Sequence, residues 1–178
     1  MKTRTRLVSA GLFLLFSSLS VAAQIEDKGK FDTWTKDFAR AHHLSAVTHL
    51  RQVRASRQKS FDRVVFEFDS AVPNYLIHYL TSRYYTDDDE QRRRIRIAGN
   101  AFLQIEMFQI PYDERQDEFA QRKGFAPVGK LSMPSLREIE DKGLFEGSYI
   151  FLLGMSSRKV FRITELSNPA RLVIDLRH

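Results

Sequence analysis

Two carboxylates on one predicted strand are the closest approach to a catalytic pair in the sequence. Apolar and polar residues alternate in "FDRVVFEFD", residues 61–69, so Glu67 and Asp69 lie on the same face. Two residues of strand rise separate them by about 7 Å, a distance suited to general acid/base work on a glycosidic bond. The pattern is also typical of a solvated sheet face balanced by cations such as Arg63. We favour the solvated face, and a small hydrolase stays the alternative.

Metal-binding patterns are weak. The acidic run Asp87–Glu90 is contiguous, lacks the Gly or Asn that turns a calcium loop, and is followed by arginines. His42 and His43 are adjacent, which sends their rings apart in a helix or a strand. We therefore predict no metal site, and these residues are interpreted as solvated loop positions.

Nucleophiles are equally hard to find. The chain contains no Cys, which excludes a thiol nucleophile, Cys-ligated zinc and a disulfide scaffold. Ser148 follows Gly147 but lacks the second glycine of a nucleophile elbow, and no Gly-rich phosphate loop occurs. We predict a protein that is not an enzyme, with no catalytic residues and no cofactor.

A cluster of arginines and tyrosines is the remaining candidate site, for binding. Arginine forks match the carboxylates of envelope polymers such as peptidoglycan stem peptides, and aromatic faces stack on sugars or cations. We favour the interpretation that the tyrosines fill the core while the arginines solvate a hairpin, and the cluster stays the best candidate for a functional site. The candidate ligand-binding residues are Arg92, Arg93, Arg94, Arg96, Tyr79, Tyr84 and Tyr85.

The N-terminus has the pattern of a signal peptide. A basic start, "MKTRTR", precedes a short Ser-rich apolar run, and "VAA" offers small residues for cleavage after Ala23. A retained membrane anchor is the alternative. No Cys follows the apolar run, which excludes a lipid-modified lipoprotein. We predict export to the periplasm or secretion, with no transmembrane segment after cleavage.

Length and charge limit the number of domains and the class of partner that the rest of the chain can have. Without residues 1–23, the 178-residue sequence is about one domain long, and we divide it into an arm, 24–46, and a domain, 47–178. The net charge of +6 is halved when Lys2, Arg4 and Arg6 leave with the signal peptide. That excess is too small to indicate a nucleic-acid partner.

Periodicity predicts an all-β fold. In the arm, Phe31, Trp34 and Phe38 have the spacing of one face of a short helix. We expect a short helix or an irregular arm that packs these aromatic side chains onto the domain. From Val47 onward, seven to eight short strands separated by turn residues predict a β-sandwich or an open barrel. The segment 134–143 is ambiguous between a helical turn with capping-box spacing, which we favour, and a short strand. The segment 111–133 is predicted to be an irregular loop.

The closing hairpin carries a family resemblance. "FRITELSNPARLVIDL" resembles the end of AMIN domains: an aromatic-led strand, an Asn-Pro turn and then Arg-Leu-Val-Ile-Asp-Leu. The preceding pieces "FDRVVFEFD", "IAGNAFLQIEM" and "FEGSYIFLLGM" resemble the AMIN-like domain of exported bacterial proteins in the same order. The resemblance covers about residues 47–178.

This resemblance implies a non-catalytic β-sandwich that localises its protein to peptidoglycan or another envelope component. No amidase or secretin domain accompanies it here, unlike in the best understood AMIN proteins. A second hypothesis is therefore an interaction subunit of an envelope complex, with an exposed sheet edge that accepts a strand from a partner protein. The oligomeric state is not predicted.

Overall fold

The computed structural model describes residues 33–41, 47–86, 92–108, 110, 129–145 and 148–178, and it confirms the all-β prediction. Within these ranges every regular element is a strand. The predicted signal peptide, the acidic run Asp87–Glu90 and the His42–His43 pair lie outside the described residues. The branched and aromatic residues that dominate the described segments favour strands because they pack well on a pleated surface.

Twelve strands follow one another along the described part of the chain. They are β1 Phe38–Ala41, β2 Leu50–Arg57, β3 Phe61–Phe68, β4 Asn74–Tyr79, β5 Tyr84–Thr86, β6 Arg92–Arg94, β7 Ala101–Phe108, β8 Gly129–Lys130, β9 Leu136–Phe145, β10 Ser148–Met155, β11 Phe161–Ser167 and β12 Ala170–Arg177.

Ten of these strands form two antiparallel sheets. One has six strands in the order β1-β4-β7-β10-β9-β8, and the other has four in the order β11-β12-β3-β2. Neither order closes on itself within the described residues, so the fold is a sandwich and not a closed barrel. The remaining two strands, β5 and β6, pair with each other as a separate hairpin.

The core lies between the two sheets. Leu172, Ile174 and Leu176 of β12 are fully buried, so the last strand supplies a core face. Phe66 of β3 meets Phe151 of β10 edge to face at 5.1 Å between ring centroids, and this contact joins the sheets. Each buried aliphatic side chain contributes about 1.5–3 kcal/mol, so these inner faces hold the sandwich together.

A second apolar cluster covers part of the outer face of the six-stranded sheet. Its buried members are Ile95, Ile97, Phe102 and Leu152. Strand β6 ends at Arg94, and the chain then crosses the sheet face. Gly99 has φ of +140°, and a Cβ there would lie 2.8 Å from the backbone of Met155.

The prediction of a helical turn at 134–143 is wrong, because most of this segment belongs to β9. The capping-box residues have partners far away in the sequence. The N–H of Ser135 donates to Asp62 Oδ2 at 2.7 Å, and Glu138 accepts the N–H of Ala98 at 2.5 Å. Hydrogen bonds to residues distant in the sequence thus take the place of the local helix cap.

Of the two forms expected for the arm, a helix or an irregular segment, the helix is wrong for the described residues. Thr35 forms a β-bridge with Phe161 in the four-stranded sheet, and β1 then pairs with β4 in the six-stranded sheet. Phe38 is 64% exposed, whereas its neighbour Ala39 is buried. A two-residue alternation therefore replaces the helical spacing, and the arm connects one sheet to the other.

Candidate functional site

The β5–β6 hairpin brings most of the predicted binding residues together. Its register places Tyr84 opposite Arg94, Tyr85 opposite Arg93 and Thr86 opposite Arg92. The side chain of Tyr84 is 42% exposed, and Arg94 and Arg96 are exposed as well. The structure thus presents an aromatic ring and cations on a hairpin that belongs to neither sheet.

Tyr79, the remaining predicted residue, lies elsewhere. Its ring is buried in the core and packs edge to face on Phe161 at 6.1 Å. Its hydroxyl donates to the carbonyl of Lys159 at 2.8 Å and accepts the N–H of Lys159 at 3.0 Å. Burial raises the pKa of Tyr79. Alternation along β4 places Tyr79 with the core residues Tyr75 and Ile77, in line with the interpretation that the tyrosines fill the core.

A second group of charged and aromatic side chains lies on the outer face of the four-stranded sheet. We call it the arginine–aromatic cluster, and its members are Trp34, Phe61, Arg63, Arg162, Asp175 and Arg177. Asp175, only 1% exposed, is its centre. Arg63 donates through Nε to Oδ1 at 2.7 Å and through Nη2 to Oδ2 at 3.0 Å, while Arg162 donates through Nη2 to Oδ2 at 2.6 Å.

These charge-assisted hydrogen bonds hold the guanidinium groups in place. The hydrogen bond to Asp175 raises the pKa of Arg63, against the opposing effect of partial burial. The strand register explains the geometry, because Asp175 of β12 lies directly opposite Arg63 of β3 on one side and Arg162 of β11 on the other. The carboxylate is therefore shared by cations from both neighbouring strands.

Two aromatic rings complete the arginine–aromatic cluster. Trp34 meets Phe61 edge to face at 6.3 Å between ring centroids. The guanidinium carbon of Arg162 lies 4.9 Å from the centroid of Trp34, and that of Arg177 lies 5.5 Å from it. Arg63 lies over Phe61 at 5.1 Å. Cation–π contacts of this kind anchor the arm to the sheet.

The sequence pattern of the AMIN-like domain matches residues 48–178, which is most of the chain. The protein belongs to the AMIN-like domain family. AMIN-like domains are generally non-catalytic binding modules and occur in exported bacterial proteins. A search among curated proteins found no match.

The paired carboxylates of this AMIN-like domain each have a cationic partner. Glu67 accepts from Arg54 at 2.7 Å, so the cross-strand cation is Arg54 and not Arg63 as predicted. Partial burial works against ionisation of Asp69, but hydrogen bonds from the backbone and ring of His49 and from Thr48 lower its pKa to about 2. Asp69 therefore stays ionised at the pH values where a general acid needs its proton.

A fully buried carboxylate at the start of β3 has a structural role in the AMIN-like fold. Asp62 accepts the N–H groups of Ser135 and Leu136 at 2.7 and 2.9 Å, and its other oxygen lies 3.0 Å from the ring Nε2 of His178. This carboxylate connects β3, β9 and the last residue of the chain. Sequence reasoning missed it, although an Asp on the apolar face of a strand is an unusual pattern.

The described ranges contain no metal-binding cluster of acidic and histidine side chains. No group of three or more His, Asp or Glu side chains lies close enough there to hold a metal ion. No helix within those ranges is long and apolar enough to cross a membrane.

Proposed function

We propose that this AMIN-like protein is an exported, non-catalytic module that associates with peptidoglycan or another component of the bacterial cell envelope. The proposed contact surface is the β5–β6 hairpin with Arg96. The observation that carries the proposal is the pairing of exposed Tyr84 with Arg94 on a hairpin outside both sheets. A guanidinium group can bind a carboxylate through two parallel hydrogen bonds, and an adjacent aromatic ring adds a stacking surface.

Sedimentation with purified peptidoglycan sacculi over a series of salt concentrations tests the proposal. We expect binding that weakens as salt rises, because exposed charges are screened. The double variant Arg94→Glu with Arg96→Glu should weaken binding about tenfold, the equivalent of losing roughly 1.4 kcal/mol.

The matched control is Arg171→Glu with Arg177→Glu, on the outer face of the four-stranded sheet. It changes the net charge by the same amount and should leave sacculus binding unchanged. Equal losses in the two variants would mean that total charge, and not the hairpin, determines binding. Absence of sedimentation at every salt concentration would overturn the peptidoglycan proposal itself.

Export is a separate part of the proposal. A basic N-terminus, an apolar run and small residues before Gln24 support cleavage after Ala23. Mass spectrometry of the protein recovered from the envelope or the medium should show a chain that begins at Gln24. An intact N-terminus in a membrane fraction would instead support a retained anchor.

The sheet-edge alternative has weaker support. Strand β2 pairs only with β3 among the described strands, so it is an edge. It contains a register irregularity between Leu50 and Gln52 and carries Arg51, Arg54 and Arg57. Bulges and charged side chains are features by which natural edges resist strand addition. Strand addition at β2 is therefore not our proposed mode of binding.

A further inference from the structure

The outer face of the four-stranded sheet has a strong excess of positive charge. Alternation along β2, β3, β11 and β12 places five arginines and two carboxylates on this face, a net charge of +3. Clefts and faces with one sign of charge attract ligands of the other sign. The charged residues are Arg54, Arg63, Arg162, Arg171, Arg177, Glu67 and Asp175.

Three of these arginines have N–H donors left for a ligand. Arg171 uses Nε for the carbonyl oxygen of Pro169 at 3.2 Å, and its other donors have no acceptor among the described residues. Arg177 is exposed, and its guanidinium makes no ion pair or hydrogen bond with the residues that the structure describes. Arg63 uses Nε and Nη2 for Asp175, whereas Nη1 has no acceptor in the described part of the chain. A guanidinium has five N–H donors, so Arg63 can bind a second carboxylate while it still holds the first.

An apolar strip lies beside the arginines. Val173 precedes Asp175 by two residues on β12 and faces the same way. The register places it beside Thr164 of β11 and Val65 of β3, so these three residues form a row across the strands. Val65 and, one row further, Leu166 are partly exposed. In an extended peptide, every second side chain faces the sheet. A peptide whose sheet-facing side chains are acidic and apolar in turn therefore fits the successive rows of this face.

The aromatic rings here do not form a sugar platform. Trp34 is in contact with the guanidinium groups of Arg162 and Arg177, and Phe61 with those of Arg63 and Arg162. Rings occupied in this way hold the arginines in place, and the exposed groups that remain are guanidinium donors and aliphatic side chains. This combination favours an acidic peptide over a glycan.

We propose that the outer face of the four-stranded sheet binds an extended, acidic segment of a partner protein. Arg63, Arg171 and Arg177 bind its carboxylates, and Val65 with Leu166 contacts its apolar side chains. Asp175 and the two rings hold the guanidinium groups in position before binding, which reduces the entropy lost on association. The proposal does not depend on peptidoglycan binding by the β5–β6 hairpin.

Fluorescence anisotropy with a labelled peptide of Glu-Ser-Leu-Ser repeats, which presents Glu and Leu in turn on one face of an extended chain, tests this inference at low salt, with a Lys-Ser-Leu-Ser peptide as the matched probe. We expect the acidic peptide to bind at least about tenfold more tightly than the basic one, as charge complementarity requires. The variant R171E/R177E should weaken binding of the acidic peptide at least about tenfold, and R94E/R96E should change it less than about twofold.

Each other outcome overturns the inference. Equal weakening by the two variants means that net charge alone attracts the peptide. If the folded wild-type protein does not bind the acidic peptide, the proposed acidic partner is wrong. If R171E/R177E loses binding to sacculi, this face binds the envelope polymer instead. Circular dichroism and denaturant unfolding of both variants establish that they are folded.

Discussion

The outer faces of the two sheets are covered in different ways. On the six-stranded sheet, the chain itself crosses the face, buries Ile95 and Ile97 and donates the N–H of Ala98 to Glu138. On the four-stranded sheet, the arm contacts the face through the ring of Trp34, and arginine side chains surround it. One face is covered by backbone and apolar contacts, and the other by arginines around a buried carboxylate.

This difference indicates which face serves stability and which is available for binding. A covering segment that contributes apolar burial cannot leave without exposing that surface to water. Guanidinium groups around Asp175 are partly exposed, with side-chain exposures of 37% for Arg63 and 24% for Arg162, and they can contact a ligand without any backbone movement. The charge-covered face is therefore the better candidate for recognition.

The largest effect is expected where the backbone covers the six-stranded sheet. A Cβ on Gly154 would lie 1.9 Å from the carbonyl oxygen of Ala98. The substitution Gly154→Ala must displace the covering segment, and we expect a loss of about 3 kcal/mol in the free energy of unfolding, measured with urea. The control is Gly143→Ala, where φ of +88° costs about 1 kcal/mol but no atom lies within 4 Å. Equal losses would show that the covering segment moves freely.

A smaller effect is expected at the centre of the other face. Asp175→Ala leaves two neighbouring arginines, Arg63 and Arg162, without their carboxylate and should lower the free energy of unfolding by about 2 kcal/mol. The comparison variant is Glu67→Gln, which removes an exposed pair with Arg54 and should cost less than about 1 kcal/mol. If both variants unfold at the same urea concentration, the buried carboxylate does not organise the arginine–aromatic cluster.

Acid should weaken the four-stranded face through Asp69. Its pKa in the folded protein is about 2, below its usual value of 3.8. Ionised Asp69 therefore stabilises the fold above about pH 4, and this contribution is lost as the pH falls through about 2. Because the site is solvated, we expect no more than about 1 kcal/mol. Urea unfolding at pH 5 and near pH 2 should show this loss in the wild type and not in Asp69→Asn.

The smallest effect on stability is expected at the hairpin. Arg94 and Arg96 are exposed and belong to neither sheet, so their double replacement by Glu should change the free energy of unfolding by less than about 0.5 kcal/mol. Thermal unfolding by circular dichroism checks this. A larger loss would assign these arginines a structural role and would remove them as a neutral control.

The alternation of apolar and polar residues predicted which side chains face the core. The predictions of helical structure from local patterns were wrong, and the structure gives the reasons. Val64, Phe66 and Phe68 face the core as the pattern of β3 predicted. The capping signal at Ser135 failed because its N–H is bonded to Asp62, 73 residues away. Helical spacing in the arm failed because edge pairing with β4 imposed a period of two.

Sequence alone determined the fold class, the family resemblance and which face of most strands is buried, because the pleat of a strand alternates side chains whatever its neighbours are. Only the tertiary structure decided which charged groups meet. Arg63 and Asp175 are 112 residues apart, and no local pattern pairs them. Their contact depends on β12 lying between β3 and β11, an order set by packing of the whole sandwich.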